Sequence, residues 1–241
     1  MRHEFIQWLY YEKEDDGGYQ HNLVTGNYLA DNKIGSLRGS MVYQPTGDFK
    51  VTAIASYSDR NNKGDGPHLY GQGALAANEF AASPSFHDVM VDDEGSTKRK
   101  ISSAILRVEN NTSWGNFTSI TGYRHLDASY AEDSDGGPLP LNFPSVNYNK
   151  ETQFSQEVRL TSPKGRQLEY VAGAYLGYEK LSHSIQFNFN GTIPSSYLSV
   201  LTAGKLQTQL VSGDVHTTSF GPYAEGKWHF SEFALKATSA S

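Results

Sequence analysis

The chain has 241 residues, enough for one large domain or two small ones. It contains no cysteine, which excludes a disulfide scaffold and a thiolate metal site, and its formal net charge of −6 argues against a nucleic-acid-binding surface. The mean hydropathy is −0.54, and no segment approaches the run of about 18 apolar residues that a membrane helix needs. A transmembrane barrel remains possible, because its strands need apolar residues only at alternate positions.

The start of the chain shows no secretory leader. Met1-Arg2-His3 runs directly into strand-like sequence, with no apolar core and no small-residue cleavage site. We therefore expect either that the chain is not exported, or that the N-terminus of the exported protein is missing from this sequence.

Alternation of apolar and polar residues predicts an all-β chain, because successive side chains of a strand point to opposite faces. Alternation is clearest along 167–186 and 152–162, and it is poor in 3–13, 100–110 and 115–127, where the sequence does not fix the register. Nine strands are predicted in total, at 3–13, 34–44, 48–59, 100–110, 115–127, 152–162, 167–186, 216–230 and 232–239.

The connections between these strands alternate between short and long. Tight turns are predicted at 44–48, 111–115, 162–166 and 230–232, and long connections at 60–99, 128–151 and 187–215. A soluble sandwich has no reason to place every long loop at the same end. An outer-membrane barrel does so, because its periplasmic turns are short and its extracellular loops are long.

Charged residues of the well-patterned strands share the polar face, which we predict to point into a barrel. Arg or Lys on the lipid face at mid-bilayer costs roughly 2–4 kcal/mol, so their absence from the apolar face agrees with this interpretation. A one-sided sheet over a soluble core gives the same alternation, but strand length and loop asymmetry favour the membrane. The inward-pointing set is Glu157, Arg159, Glu169, Glu179, Glu225, Lys227 and Lys236.

Several segments resemble a known family, in the right order along most of the chain. The pair formed by SITGYR at 119–124 and SQEVRLTSP at 155–163 resembles the barrel of TonB-dependent outer-membrane receptors, and YVAGAY at 170–175 follows as it does there. Further similar segments are DGGY at 16–19, LRGS at 37–40 and FGPYA at 220–224.

This resemblance implies a 22-stranded antiparallel transmembrane barrel with an N-terminal plug in its lumen. The chain has only about nine predicted strands, no plug-like segment, no motif for the energy-coupling protein, and no terminal aromatic residue at Ser241. We therefore expect residues 1–241 to be an internal fragment of the barrel, with the plug and the C-terminal strands absent.

The function implied by the resemblance is that of part of an active transporter in the outer membrane of a Gram-negative bacterium. It would import a ferric-siderophore-like chelate or another bulky nutrient. The implied partners are outer-membrane lipid, the nutrient, and the inner-membrane TonB complex through the missing plug. We expect no enzymatic activity, no cofactor and no nucleic-acid partner. Two alternatives stay open: a passive porin-like channel, and a soluble β-sandwich binding module.

Ligand contacts are predicted in the extracellular loops 60–99, 128–151 and 187–215. Their aromatic residues are candidates for contacting a ligand, although they fit packing of the loops equally well: Tyr70, Phe86, Tyr130, Tyr148 and Tyr197.

No metal site is predicted. The acidic runs 92–94 and 132–136 offer oxygen ligands for a hard cation, but they fit solvated loops better. His183 and His216 flank one long loop and would be ligands only if they met, and isolated histidines are usually not ligands. Ser, His and Asp residues are too scattered to nominate a catalytic set.

Overall fold

The structure of the chain is a computed structural model that describes residues 4–67, 85–133, 136–138, 145–187 and 209–229. Regular structure within these ranges consists entirely of β-strands. The described ranges contain no helix of the length and apolarity needed to cross a membrane. The eleven strands are β1 (Glu4–Asp16), β2 (Gln20–Asn22), β3 (Tyr28–Leu29), β4 (Asn32–Gln44), β5 (Phe49–Lys63), β6 (Asp88–Val89), β7 (Ser96–Thr112), β8 (Gly115–Glu132), β9 (Ser145–Thr161), β10 (Leu168–Phe187) and β11 (Gln209–Trp228).

Eight long strands form one antiparallel sheet in the order β1-β4-β5-β7-β8-β9-β10-β11. Each strand pairs with the next long strand of the chain, which is the up-and-down topology of a barrel wall. The edges, β1 and β11, do not pair with each other, so the sheet is open. This arrangement confirms the predicted all-β antiparallel fold, as a part of a barrel. Eight of the nine predicted strands are confirmed, and the ninth, 232–239, lies outside the described residues.

The strands are longer than predicted at the end that carries the long connections. β9 begins at Ser145 rather than near 152, and β11 begins at Gln209 rather than near 216. The extension of β9 was missed because both of its faces are largely polar, as at Asn147, Asn149 and Lys150. The extension of β11 was missed because its apolar residues, such as Leu210 and Val211, do not alternate with polar ones. The backbone ladder continues in both places without a period-two pattern to signal it.

The short and long connections lie at opposite ends of the sheet. Connections 17–31, 64–95, 133–144 and 188–208 join strands at one end, and turns 45–48, 113–114 and 162–167 join them at the other. The predicted alternation is therefore confirmed for every connection between described strands. In the turn 162–167, Gly165 has a φ of 75°, a conformation that a side chain disfavours.

The ladder supplies the register that the sequence left open. β7 pairs with β8 from Ser96↔Ala131 to Thr112↔Gly115 without interruption, and β1 pairs with β4 from Glu4↔Gln44 to Asp16↔Asn32. Residues directly opposite one another share a face. The register places six of the seven predicted inward charges on one face, which we call the polar face: Glu157, Arg159, Glu169, Glu179, Glu225 and Lys227. The seventh, Lys236, lies outside the described residues.

The large sheet has no hydrophobic core among the described residues. The buried apolar side chains there are Leu29, Val89 and Val91, and all three lie at the long-connection end, around the small sheet β3-β2-β6. Large apolar side chains of the long strands are exposed instead, with Leu9 72% and Phe220 70% accessible. A one-sided sheet over a soluble core would bury one face, and neither face is buried in the described part of this sheet.

Strands β9, β10 and β11 pack closely around Gly173 on the polar face, and replacing this glycine by alanine tests that packing. A Cβ at Gly173 would lie 2.5 Å from the ring of Tyr223 and 2.6 Å from the carbonyl oxygen of Val158. We expect Gly173→Ala to lower the free energy of unfolding by about 1–3 kcal/mol, because backbone must move to admit it. Urea unfolding of the detergent-folded chain measures this. Gly221→Ala is the matched control, since nothing lies within 4 Å of its Cβ, and equal losses for both variants would contradict the prediction.

Candidate functional site

The face opposite the predicted inward charges is called the apolar face. It carries a band of apolar residues that is bounded by two rows of aromatic side chains. The upper row, toward the long connections, consists of Tyr11, Tyr57, Tyr123, Phe154, Tyr178 and Phe220. The lower row, toward the short turns, consists of Phe5, Tyr43, Phe49, Phe117, Tyr170 and Trp228. Rows of this kind mark the two water interfaces of a membrane barrel.

Both aromatic rows shift toward the short-turn end from β1 to β11, relative to the residues that pair across the ladder. The chain of paired residues that starts at Tyr11 in the upper row reaches β11 at His216, whereas the aromatic residue of that row on β11 is Phe220, four residues further on (220 − 216). The chain of paired residues that starts at Phe5 in the lower row reaches β11 at Pro222, six residues from Trp228 (228 − 222). Strands that are tilted against a flat layer require such a drift, because a level line crosses each strand at a different residue.

One polar side chain in the band is internally satisfied. Gln156 lies on the apolar face between β8 and β10. Its amide accepts a hydrogen bond from Thr121 Oγ1 at 2.6 Å and donates one to Ser119 Oγ at 2.9 Å. Neighbouring strands therefore supply the partners that an apolar surrounding would not.

Arginine and lysine are distributed differently over the two faces of the long strands. Every arginine within the described long strands lies on the polar face: Arg38, Arg60, Arg99, Arg107, Arg124 and Arg159. Lysines of the apolar face all lie beyond the upper aromatic row, toward the long connections: Lys13, Lys33, Lys63, Lys98, Lys100, Lys150 and Lys180. The band between the aromatic rows is free of charge in the described strands.

A shallow cavity of about 450 Å³ opens on the polar face. Its floor is one register row of small residues, Gly122↔Ser155↔Gly177↔Ser219, which we call the trough. A Cβ at Gly122 would lie 2.6 Å from Ser155 Oγ, so the two strands approach closely there. The trough exists because four adjacent strands, β8 to β11, present only glycine or serine at this level.

Polar and ionic contacts flank the trough. Arg124 Nη1 lies 3.2 Å from Glu151 Oε1, and Gln153 donates a hydrogen bond to Glu179 at 3.3 Å. On the other side, the Tyr223 hydroxyl donates to Glu157 at 2.7 Å. Two of the predicted inward charges, Glu157 and Glu179, are therefore held in cross-strand contacts, and the polar face offers both signs of charge to whatever fills the space in front of it.

At the long-connection end, three connections join into one unit, which we call the loop platform: residues 17–31, 85–95, 133 and 136–138. Asn22 is fully buried at its centre, donating to the Val91 carbonyl at 2.8 Å and accepting from the Val91 N–H at 3.3 Å. The Leu23 N–H donates to the Val89 carbonyl at 2.9 Å, and the Asp92 N–H to the Gly137 carbonyl at 3.2 Å. Predicted loops are thus structured here.

A second set of contacts ties the platform to the barrel wall. Glu94 accepts hydrogen bonds from Thr25 and Asn27 and lies 3.6 Å from Lys63 Nζ at the end of β5. Burial raises the pKa of Glu94, but the two hydrogen bonds and the lysine charge outweigh it, and the net pKa is lowered. This carboxylate is therefore held ionised as a link between two connections and a strand.

The described residues of the acidic runs, 92–94, 132–133 and 136, are half-buried or buried, in contrast to the solvated loops that the sequence suggested. Asp133 is only 3% accessible and accepts a hydrogen bond from the Gly136 N–H at 3.2 Å. Burial and the neighbouring Asp133 carboxyl together raise the pKa of Asp92 to about 6. Within the described residues, no group of three or more His, Cys, Asp or Glu side chains is arranged to hold a metal ion.

The two histidines considered as a pair are kept apart by the register. His183 lies on the polar face, where its ring nitrogen bonds Asn149 Oδ1 at 2.7 Å. His216 lies on the opposite face beside the Tyr178 hydroxyl, at 3.1 Å. They cannot coordinate one ion, because side chains on opposite faces of a sheet point away from each other.

The predicted aromatic candidates do not form one cluster. Phe86 lies on the loop platform and is 68% exposed, Tyr130 lies on the polar face with its hydroxyl bonded to Glu132 at 2.9 Å, and Tyr148 lies on the apolar face. Tyr70 and Tyr197 lie outside the described residues, as do most of 187–215 and part of 60–99 and of 128–151.

Sequence reasoning missed an exposed aromatic group on the loop platform. Tyr19 meets His87 with ring centres 6.3 Å apart, Phe86 meets His87 at 5.6 Å, and His21 meets Tyr28 at 5.2 Å. We call these five residues the aromatic group. Strands of two and three residues are too short for alternation to reveal, so only Phe86 was predicted.

Comparison with known proteins bears on the fold. No family model and no curated protein matches the chain. Among solved structures, it is similar to the ferric yersiniabactin uptake receptor FyuA from Yersinia pestis, with a TM-score of 0.53 and 13% sequence identity. The match covers 92% of this chain and 39% of that structure, so the chain spans well under half of the receptor. A likeness at this identity shows the fold.

Removing the buried amide of Asn22 is expected to loosen the loop platform. Asn22→Ala leaves the buried Val91 N–H and C=O without this partner, and each such loss costs about 1–3 kcal/mol. Amide hydrogen exchange at Val91 should therefore accelerate strongly, while exchange in β9 and β10 stays unchanged. Asn61→Ala, at an exposed position of β5, is the control, and an equal effect of both variants would contradict the assignment.

The raised pKa of Asp92 makes platform stability depend on pH. A carboxyl group whose folded pKa exceeds its unfolded value stabilises the folded form below about pH 4, and this stabilisation is lost as pH rises through about 6. We expect protection of the Leu23 amide, corrected for intrinsic exchange, to fall over that window. Asp92→Asn should flatten the dependence, and an unchanged slope in this variant would assign the pH effect to other groups.

Proposed function

We propose that this chain is part of the wall of an outer-membrane active transporter of the TonB-dependent type, in a Gram-negative bacterium. The observation that carries the proposal is the uncharged band between two aromatic rows on a sheet with no buried face. The chain would contribute to uptake of a bulky nutrient, such as a ferric chelate, and would have no catalytic role of its own.

The dimensions of the band support a membrane position. Between the two aromatic rows, from Tyr170 to Tyr178, the apolar side of β10 runs eight residues (178 − 170). At about 3.3 Å per residue and a tilt of about 40°, this corresponds to a height of roughly 20 Å. The apolar band on outer-membrane barrels is about 25 Å tall, so the two heights are of the same order. Long connections at one end and short turns at the other supply the orientation, with the long ones extracellular.

The polar face supports a role beyond anchoring. It carries all the arginines of the described long strands and a trough, and it would line the lumen. We propose that a plug domain, supplied by sequence beyond this chain, lies in front of the trough and connects the barrel to the TonB complex. The likeness to a ferric yersiniabactin uptake receptor supports this choice over a passive channel, which needs no partner in its lumen.

The loop platform is the part we propose to meet the incoming nutrient. Its hydrogen-bonded core holds the connections in place before any ligand arrives, which lowers the ordering cost of binding. The exposed aromatic group provides flat apolar surface with polar ring atoms, suited to a large ligand of mixed character.

The membrane position is tested by placing the same charge on each face of β5. Ala55 lies within the band, and Ser58 lies on the polar face of the same strand. We expect Ala55→Arg to reduce the folded, protease-protected fraction in phospholipid vesicles, because arginine on the lipid face costs roughly 2–4 kcal/mol. Ser58→Arg should insert like the unmodified chain. Equal behaviour of the two variants, or a monomeric soluble chain without lipid or detergent, would overturn the proposal.

A further inference from the structure

We propose that four lysines on the apolar face, Lys98, Lys100, Lys150 and Lys180, form a binding surface for the phosphate groups of lipid headgroups. We call them the lysine patch. This inference rests on the proposed membrane position, and it adds a ligand class and a site that the transport function does not require.

The position of the lysine patch follows from the register. Lys180 lies two residues beyond Tyr178 of the upper aromatic row, and Lys150 lies four residues beyond Phe154. On β7 the row passes through Ala104, the partner of Tyr123, with Lys100 four residues beyond it. At about 3.3 Å per residue and a tilt of about 40°, these three charges lie roughly 5–10 Å above the aromatic row, and Lys98, six residues beyond Ala104, lies roughly 15 Å above it, a range that includes the lipid headgroups.

The lysines are available to a ligand. All four are exposed. Lys150 Nζ lies 3.7 Å from Asp127 Oδ2, but these side chains are 65% and 49% accessible, and an exposed pair of this kind contributes little. Two aspartates, Asp59 and Asp127, lie opposite Lys100 in the ladder, so the lysines outnumber the carboxylates within the patch.

Of the arginines and lysines in the described strands, those on the apolar face are all lysines. The arginines of the long strands lie on the polar face, where Arg124 contacts Glu151, and a guanidinium group suits planar paired contacts with carboxylates. A lysine ammonium is a compact charge on a flexible apolar stem, which can lie along the lipid surface while the charge reaches a phosphate. No lysine lies on the apolar face at the short-turn end of the described strands, so the preference concerns one leaflet.

Hydroxyl groups complete the chemistry of the site. Ser129 and Tyr148 lie opposite each other beside Lys98 on the same face, and Thr152 lies opposite Lys180. Phosphate oxygens accept hydrogen bonds from both ammonium and hydroxyl groups, so the surface offers charge and neutral donors together. A choline headgroup, whose outer charge is positive, fits this surface poorly.

The test measures lipid binding by the full 241-residue chain folded in non-ionic detergent micelles. Dioleoyl phosphatidic acid is titrated into the micelles, and bound lipid is counted by native mass spectrometry, with dioleoyl phosphatidylcholine as the comparison lipid. We expect preferential binding of phosphatidic acid that weakens with added salt. Replacing all four lysines by glutamine should weaken it on the order of tenfold to a hundredfold, given the attraction of lysines to anionic lipid surfaces.

Matched variants separate the patch from total charge. Lys50→Gln, Lys164→Gln, Arg166→Gln and Lys227→Gln remove the same number of charges outside the patch and should leave the lipid preference intact. Arginine at the four patch positions should retain it, which keeps the test informative if the glutamine variant misfolds. Equal loss in both glutamine variants, or no loss in either, would overturn the inference.

Two further outcomes are distinguishable. Displacement of phosphatidic acid by equimolar inorganic phosphate would mean a simple anion site and would overturn the lipid assignment. A chain that fails to enter micelles or vesicles would sink the proposed function as well. A chain that inserts normally, with Ala55→Arg behaving as expected but without a headgroup preference, would overturn this inference alone.

Discussion

The backbone ladder between neighbouring strands is the constraint on which the rest of the structure depends. Neither face of the eight-stranded sheet is buried in the described residues, so hydrophobic packing does not hold the strands together as it does in a soluble sandwich. Each strand instead pairs along almost its whole length, up to 20 residues between β10 and β11. In a hydrocarbon layer this pairing is obligatory, because an unpaired backbone group has no water to bond with.

The same backbone ladder also determines on which face of the sheet each side chain lies. Because the period of a strand is two, one uninterrupted register assigns every strand residue to the apolar face or the polar face. The apolar face keeps its band free of charge, and the amide of Gln156 within the band finds partners on β8. The polar face collects the arginines, the cross-strand contacts and the trough. Membrane anchoring and contact with a plug are thus proposed for opposite faces of the same strands.

The long-connection end differs from the large sheet because it contains a small hydrophobic core. Leu29, Val89 and Val91 are buried there around Asn22, in a unit built from segments that are far apart in the chain. In the proposed membrane position, water is available at this end, so burial of apolar surface again stabilises structure. The result is an ordered platform with exposed rings, in place of the solvated loops expected from composition alone.

Local patterns in the sequence determined the strand class, eight long strands, the alternation of short and long connections, and the face of charges such as Glu157 and Lys227. These follow from side-chain period and turn chemistry, which are properties of neighbouring residues. Tertiary structure alone decided the register of β1, β7 and β8, the separation of His183 from His216, the aromatic rows and the lysine patch, and the burial of Asn22 and Asp133. Each of these depends on which residues of distant strands or loops stand opposite one another, and that pairing is a long-range property that alternation within one segment cannot encode.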